Sequence, residues 1–160
     1  MAKSRVYPLI FTDLDGTLLD HASYSAKPAD RLVRQILDHS IGAVIPVTSK
    51  TFAELRLLQQ SIPLGETTSV TENGSVIHIP HGVPFAGGTG PQTILPGLGY
   101  AAILDRIGAL PRRLRQHLTG FADMSAGDVS KATGLGLQEA LLARQREASE
   151  PFLWSGSDTA

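Results

Sequence analysis

Two rhythms of apolar and polar positions organise the first half of the chain. Val6 to Phe11 is a short continuous apolar run, the pattern of a buried strand, and it ends at the acids Asp13 and Asp15. Pro8 within it cannot donate to a ladder, so it belongs at the start of the strand or opposite an unpaired carbonyl. Residues 28–40 set Leu32, Val33, Ile36 and Leu37 at helical spacing, with Pro28 in the first turn. Ala43 to Val47 is a second apolar run, interrupted by Pro46 and followed by Thr48-Ser49-Lys50. Thr51-x-x-Glu54 is a capping box that opens a helix carrying Leu55, Leu57 and Leu58. Thr68 to Thr71 predicts a third strand, and Asn73-Gly74 turns the chain back into Ser75 to Ile79 as a hairpin.

Strand, helix, strand, helix, strand is the pattern of an α/β protein with a parallel sheet covered by helices. Ligands of such sheets lie beyond the carboxyl ends of the strands. The acids after strand one and Thr48-Ser49-Lys50 after strand two therefore fall at one rim. Residues 81–99, with His81-Gly82-Val83-Pro84 and Gly87-Gly88-Thr89-Gly90, read as a loop or a boundary between parts. Beyond it the pattern predicts helices near 99–110 and 135–148 and a strand at Pro151 to Trp154. There is no internal repeat.

Composition narrows the class. A chain of 160 residues, 42% hydrophobic and 18% charged, holds one globular domain, or one and part of a second. A net charge of −1 argues against nucleic acid or an acidic membrane as a partner held by bulk electrostatics. The absence of cysteine excludes disulfides and thiolate metal sites. The basic start Met1 to Arg5 is followed by an apolar run too short for a signal peptide, and no stretch is long enough to cross a bilayer. A soluble, cytoplasmic protein is expected.

The acids carry the chemistry. Asp13 and Asp15, at i and i+2, project to the same side if the extended conformation continues. Like charges so close raise at least one pKa unless a cation intervenes, and Mg²⁺, which takes one or two carboxylates and keeps waters, removes the conflict. Gly16 lets the chain bend so that Asp15 leans back over the site. Asp13 is then a candidate nucleophile and Asp15 a candidate acid/base. The competing reading is a turn in which the Asp side chains bond backbone amides. His78-x-x-His81 suggests a metal pair, but rings on a strand entering a turn diverge. Gly87-Gly88-Thr89-Gly90 lacks the strand and helix of a phosphate loop and reads as a linker.

The string Asp13-Leu14-Asp15-Gly16-Thr17 after an apolar strand resembles the first signature of the haloacid dehalogenase superfamily of phosphohydrolases. The resemblance implies that Asp13 is phosphorylated, that Asp15 is general acid/base, and that Mg²⁺ is bound by the Asp13 carboxylate and the Asp15 carbonyl. Thr48 resembles the second signature, a hydroxyl that hydrogen-bonds phosphoryl oxygens. "VIPVTSKTFAEL", "TENGSVIHIP" and "RQREASEPFLW" resemble the mannosyl-3-phosphoglycerate phosphatase branch. Ser49, Lys50, Arg144 and Arg146 become candidate contacts to a small anionic sugar phosphate; for the two arginines the alternative is a solvated helix face. The implied architecture is part of a Rossmann-like core over residues 1–85 and part of an inserted α+β cap over 86–160. The family's third and fourth signatures, a lysine and an acidic pair, are expected after the cap, beyond residue 160. Gly127-Asp128 and Lys131 look like substitutes, but their position puts them in the cap. In the family's strand order the first strand would be left as an edge here, open to self-association.

Overall fold

The computed structural model describes residues 7–20, 27–83 and 88–157. The expected roles of Met1 to Val6, Pro84 and Gly87 lie outside the described residues. Strand β1 is Leu9–Asp13, so Pro8 stands just before it and its carbonyl accepts the Ala43 amide at 3.0 Å. Helix α1 (Lys27–Asp38) leads to β2 (Ala43–Val47), and α2 (Phe52–Leu58) leads to β3 (Ser69–Thr71). These three strands are parallel in the order β1-β2-β3. Both helices pack on one apolar cluster of Leu14, Leu18, Leu19, Val33, Val44, Leu55, Ile62 and Leu64. Ile36, Leu37 and Leu58 pack against that cluster, whereas Leu32 stays 62% exposed, because the buried stripe of α1 centres on Val33.

The hairpin to β4 (Val76–Ile79) forms as the Asn73-Gly74 signal predicts, but its turn is wider. Positive φ begins at Glu72 (52°) and continues through Asn73 (58°) and Gly74 (93°). A glutamate there is uncommon, since its Cβ crowds the backbone. The reading of 81–99 as loop is corrected in part: Gln92–Ile94 forms β5, antiparallel to β4, and the sheet runs β1-β2-β3-β4-β5. Three residues between glycines and prolines carry too little pattern to be read as a strand.

The rest is an α+β part: α3 (Tyr100–Gly108), α4 (Arg112–Arg115), β6 (Leu118–Gly120), α5 (Ala126–Thr133), α6 (Leu137–Ala143) and β7 (Phe152–Trp154). The predicted 135–148 helix is shorter at both ends. Gly134, at φ 79°, closes α5 before it. Strands β6 and β7 pair antiparallel, and Met124, Val129 and Ala140 form a second apolar cluster.

β1 is not a buried strand. Among the described residues it is the sheet's edge, with Leu9 58% and Phe11 61% exposed. We propose that the isolated chain self-associates through this edge, so light scattering should find oligomers that Phe11→Lys reduces; an unchanged monomer in both would contradict it. A second prediction concerns the β1–β2 contact. A Cβ added at Gly42 would lie 2.6 Å from the Pro8 carbonyl oxygen, whereas one at Gly108 meets nothing within 4 Å. Gly42→Ala should destabilise by about 1–3 kcal/mol. Gly108→Ala, at a helix end, should stabilise by up to about 1 kcal/mol. Denaturant unfolding checks both signs.

Candidate active site

The parallel register places Asp13 opposite Val47, so β1 and β2 end together. Leu14 follows, 0% exposed in the core, and its burial forces the flanking Asp13 and Asp15 to the other side. Gly16 at φ 73° then reverses the chain, and the Leu19 amide bonds the Leu14 carbonyl at 2.8 Å. Leu18 and Leu19 re-enter the core and pin the turn from below. The acids thus stand on a short loop held at both ends.

An open cleft of about 590 Å³ lies at this rim, lined by residues that include Asp13, Asp15, Thr48, Ser49 and Asn73. Asp13 is exposed, and its Oδ1 accepts the Leu14 amide at 2.8 Å. Asp15 Oδ2 lies 3.0 Å from Lys50 Nζ, while Asp15 Oδ1 is buried with no hydrogen-bond partner. Thr48 is buried, and its Oγ1 accepts the Lys50 amide at 3.2 Å, which leaves its proton to be donated. Five of the sequence-derived residues, Asp13, Asp15, Thr48, Ser49 and Lys50, therefore meet at one place.

The two arginines are not among the residues that line the cleft. Arg144 Nε donates to the Phe121 carbonyl at 3.3 Å, inside the α+β part. Arg146 is no solvated surface residue: its side chain is 7% exposed, its Nη1 donates to the Ser49 carbonyl at 3.3 Å, and its Nε lies 3.8 Å from Glu72 Oε2. Arg146 thus backs the loop that carries Ser49.

Glu72 escaped the sequence reading as a separate residue. It is 1% exposed, and it accepts the Glu147 amide at 2.7 Å, the Ala148 amide at 3.1 Å and the Ser149 hydroxyl at 2.7 Å. Its only signal in the sequence is an acid beside Asn-Gly, which reads equally well as an exposed turn. His78 is also buried, stacked on Phe52 with ring centroids 3.7 Å apart. Its Nε2 is 3.0 Å from Glu147 Oε1, close enough for an ion pair but not angled for a hydrogen bond.

No family model matches the sequence. Solved structures match in fold. BT1666 from Bacteroides thetaiotaomicron, among the phosphatases of the haloalkanoate (HAD) enzyme superfamily, superposes with a TM-score of 0.57 at 12% identity, over 95% of this chain and 57% of that one. The chain has the fold of a HAD phosphatase. TM0651 from Thermotoga maritima superposes with a TM-score of 0.51 at 15% identity, over 89% of this chain and 54% of that one. The chain thus spans a little over half the length of these two structures.

The residues of the cleft fit Mg²⁺ in their chemistry. The donors are hard oxygens only, and the buried, partnerless Asp15 Oδ1 marks a carboxylate incompletely satisfied by Lys50. Among the described residues no three His, Cys, Asp or Glu side chains gather around a metal position.

Asp128, the apparent substitute, has another task. It closes the capping box of α5, with its Oδ2 accepting the Ser125 hydroxyl at 2.6 Å and the Ser125 amide at 3.1 Å. Those two hydrogen bonds hold its carboxyl below the usual carboxylate range. A depressed folded pKa means that this stabilisation is complete above the unfolded value of about 3.9 and is lost as pH falls through the folded value. Ser125→Ala should return the Asp128 pKa toward about 3.9 in an NMR titration. An unchanged pKa would contradict the capping account.

Proposed function

We propose that this chain carries the phosphoryl-transfer site of a phosphomonoester hydrolase that works through an aspartyl-phosphate on Asp13. The observation that carries the reading is the meeting of Asp13, Asp15 and Thr48 in one open cleft at the carboxyl ends of parallel strands. The fold shared with a HAD phosphatase supports the reaction class.

In the proposed reaction an Asp13 oxygen attacks phosphorus as the bond to the ester oxygen breaks. Asp15, as the acid, gives its proton to that leaving oxygen. Asp15, now a carboxylate, takes a proton from water as the water oxygen attacks phosphorus. The acyl phosphate breaks, and Asp13 and inorganic phosphate are released. The Thr48 hydroxyl donates to a phosphoryl oxygen, and Lys50 orients Asp15 from its second oxygen. The Asp13 carboxylate and the Asp15 carbonyl would hold Mg²⁺, which when bound supplies charge neutralisation at the phosphoryl group.

The substrate we propose is a small anionic sugar phosphate, with mannosyl-3-phosphoglycerate first, on the strength of the Thr48-Ser49-Lys50-Thr51 and Arg144 to Trp154 resemblances. Residues 86–160 would then act as the cap over the site and 1–85 as core. Ser49, exposed at the cleft, is the proposed direct contact, with Lys50 beside it. Arg144 and Arg146 serve this reading by shaping the cap and the Ser49 loop that they contact.

Asp13→Asn should abolish phosphate release, because an amide cannot form the acyl phosphate. Asp15→Asn should slow turnover roughly 10²–10⁴-fold and let phosphoenzyme accumulate. Phosphate release with added Mg²⁺ checks both, and Asp13→Asn activity equal to wild type contradicts the nucleophile assignment. A panel of glycosyl-phosphoglycerates against hexose phosphates decides the substrate: a preference for the hexose phosphates would make the protein a related sugar-phosphate phosphatase.

A further inference from the structure

Glu72 is an expensive residue to keep. It buries a carboxylate almost completely, and it holds φ at 52°, a region that side chains with a Cβ seldom adopt. Position 72 is a place where a turn glycine or asparagine would be cheaper. What the glutamate gains there is three hydrogen bonds from one segment, the Glu147 and Ala148 amides and the Ser149 hydroxyl, with Arg146 Nε 3.8 Å away.

The same residue is bonded on its other side to the loop of the cleft. The Glu72 amide donates to the Lys50 carbonyl at 3.0 Å, and the next amide, of Asn73, donates to the Thr48 carbonyl at 3.0 Å. Arg146 closes the circuit by donating to the Ser49 carbonyl. All three residues of the 48–50 loop are thus bonded to the Glu72 turn or to the segment that Glu72 holds. Thr51 extends the seam, its hydroxyl donating to the Leu142 carbonyl at 3.0 Å.

We propose that Glu72 is a positioning residue for phosphoryl transfer, locking residues 146–149 of the α+β part to the Thr48-Ser49-Lys50 loop. The proposal rests on the phosphatase reading for its kinetic consequence, although the lock itself does not. Glu72 touches neither substrate nor reacting atoms. It sets how the α+β part is held against the 48–50 loop.

Glu72→Gln preserves length but replaces one accepting oxygen with an NH₂ group. Oε1 accepts the Glu147 amide and Oε2 accepts the Ala148 amide and the Ser149 hydroxyl, so either orientation turns a donor against a donor. Ser149→Ala is the milder second variant, removing one of the three bonds. Hydrogen exchange followed by mass spectrometry or NMR reads the lock without any activity. Both variants should speed exchange at 147–148 and also at Glu72 and Asn73, whose amides bond the Lys50 and Thr48 carbonyls, leaving the β6–β7 ladder unchanged. Loosening confined to 147–149, or spread over the whole chain, overturns the proposal.

Kinetics give the second readout, in the protein with Mg²⁺ supplied. A misplaced cap should lower kcat/KM for mannosyl-3-phosphoglycerate on the order of 10–100-fold while p-nitrophenyl phosphate, too small to reach the cap, changes far less. Equal losses on both substrates would leave Glu72 a merely structural residue. If Asp13→Asn hydrolyses both substrates like wild type, the phosphatase reading fails instead, and the exchange result still decides the lock.

Discussion

The site depends on one parallel pairing. Leu9 to Asp13 lie opposite Ala43 to Val47, and this register makes both strands expire at the same level. A one-residue slip would turn every side chain of β1 to the other face and separate the acids from Thr48. The register is reinforced from both ends. Gly42 lets the Pro8 backbone approach at the start, and Leu14, Leu18 and Leu19 anchor the loop in the core beyond the end. Core packing and site geometry are therefore the same constraint.

A second constraint follows from where charge is buried. Glu72, Arg146 and His78 are largely removed from solvent at the seam between the sheet and the α+β part. Buried charged and polar groups need partners, and those partners come from across the seam. Glu147, Ala148 and Ser149 meet Glu72, and the Glu147 carboxylate meets His78. The seam is thereby specific in orientation, which an apolar contact of the same size would not be. It lies directly behind the loop that lines the cleft.

Much of this was legible in the chain. The apolar runs before Asp13 and Thr48, the Thr51–Glu54 capping box and the Asn73-Gly74 turn are local signals, and two strands, a helix and a hairpin with a wider turn form there. The same locality explains the failures. The run to Phe11 has the composition of a buried strand, yet its burial depends on a neighbour on its far side, which no local pattern encodes. β5 and β6 have three residues each with a single large apolar position, Ile94 and Leu118, whereas β7, equally short, carries Phe152, Leu153 and Trp154 in a row. The α5 start carries a local signal as well, since Ser125 and Asp128 have capping-box spacing. Glu72 was illegible for a deeper reason: its burial is created by a segment 75 residues away.

The central claim is that Asp13 is the nucleophile, and covalent labelling tests it most directly. The protein would be mixed with a phosphate ester carrying labelled phosphorus, quenched in acid within the first turnover, and digested for peptide mapping. The account predicts label on the peptide containing Asp13, as a hydroxylamine-sensitive acyl phosphate that Asp15→Asn enriches and Asp13→Asn removes. Phosphate release with no label on that peptide even in Asp15→Asn, or with label on another residue, would contradict it.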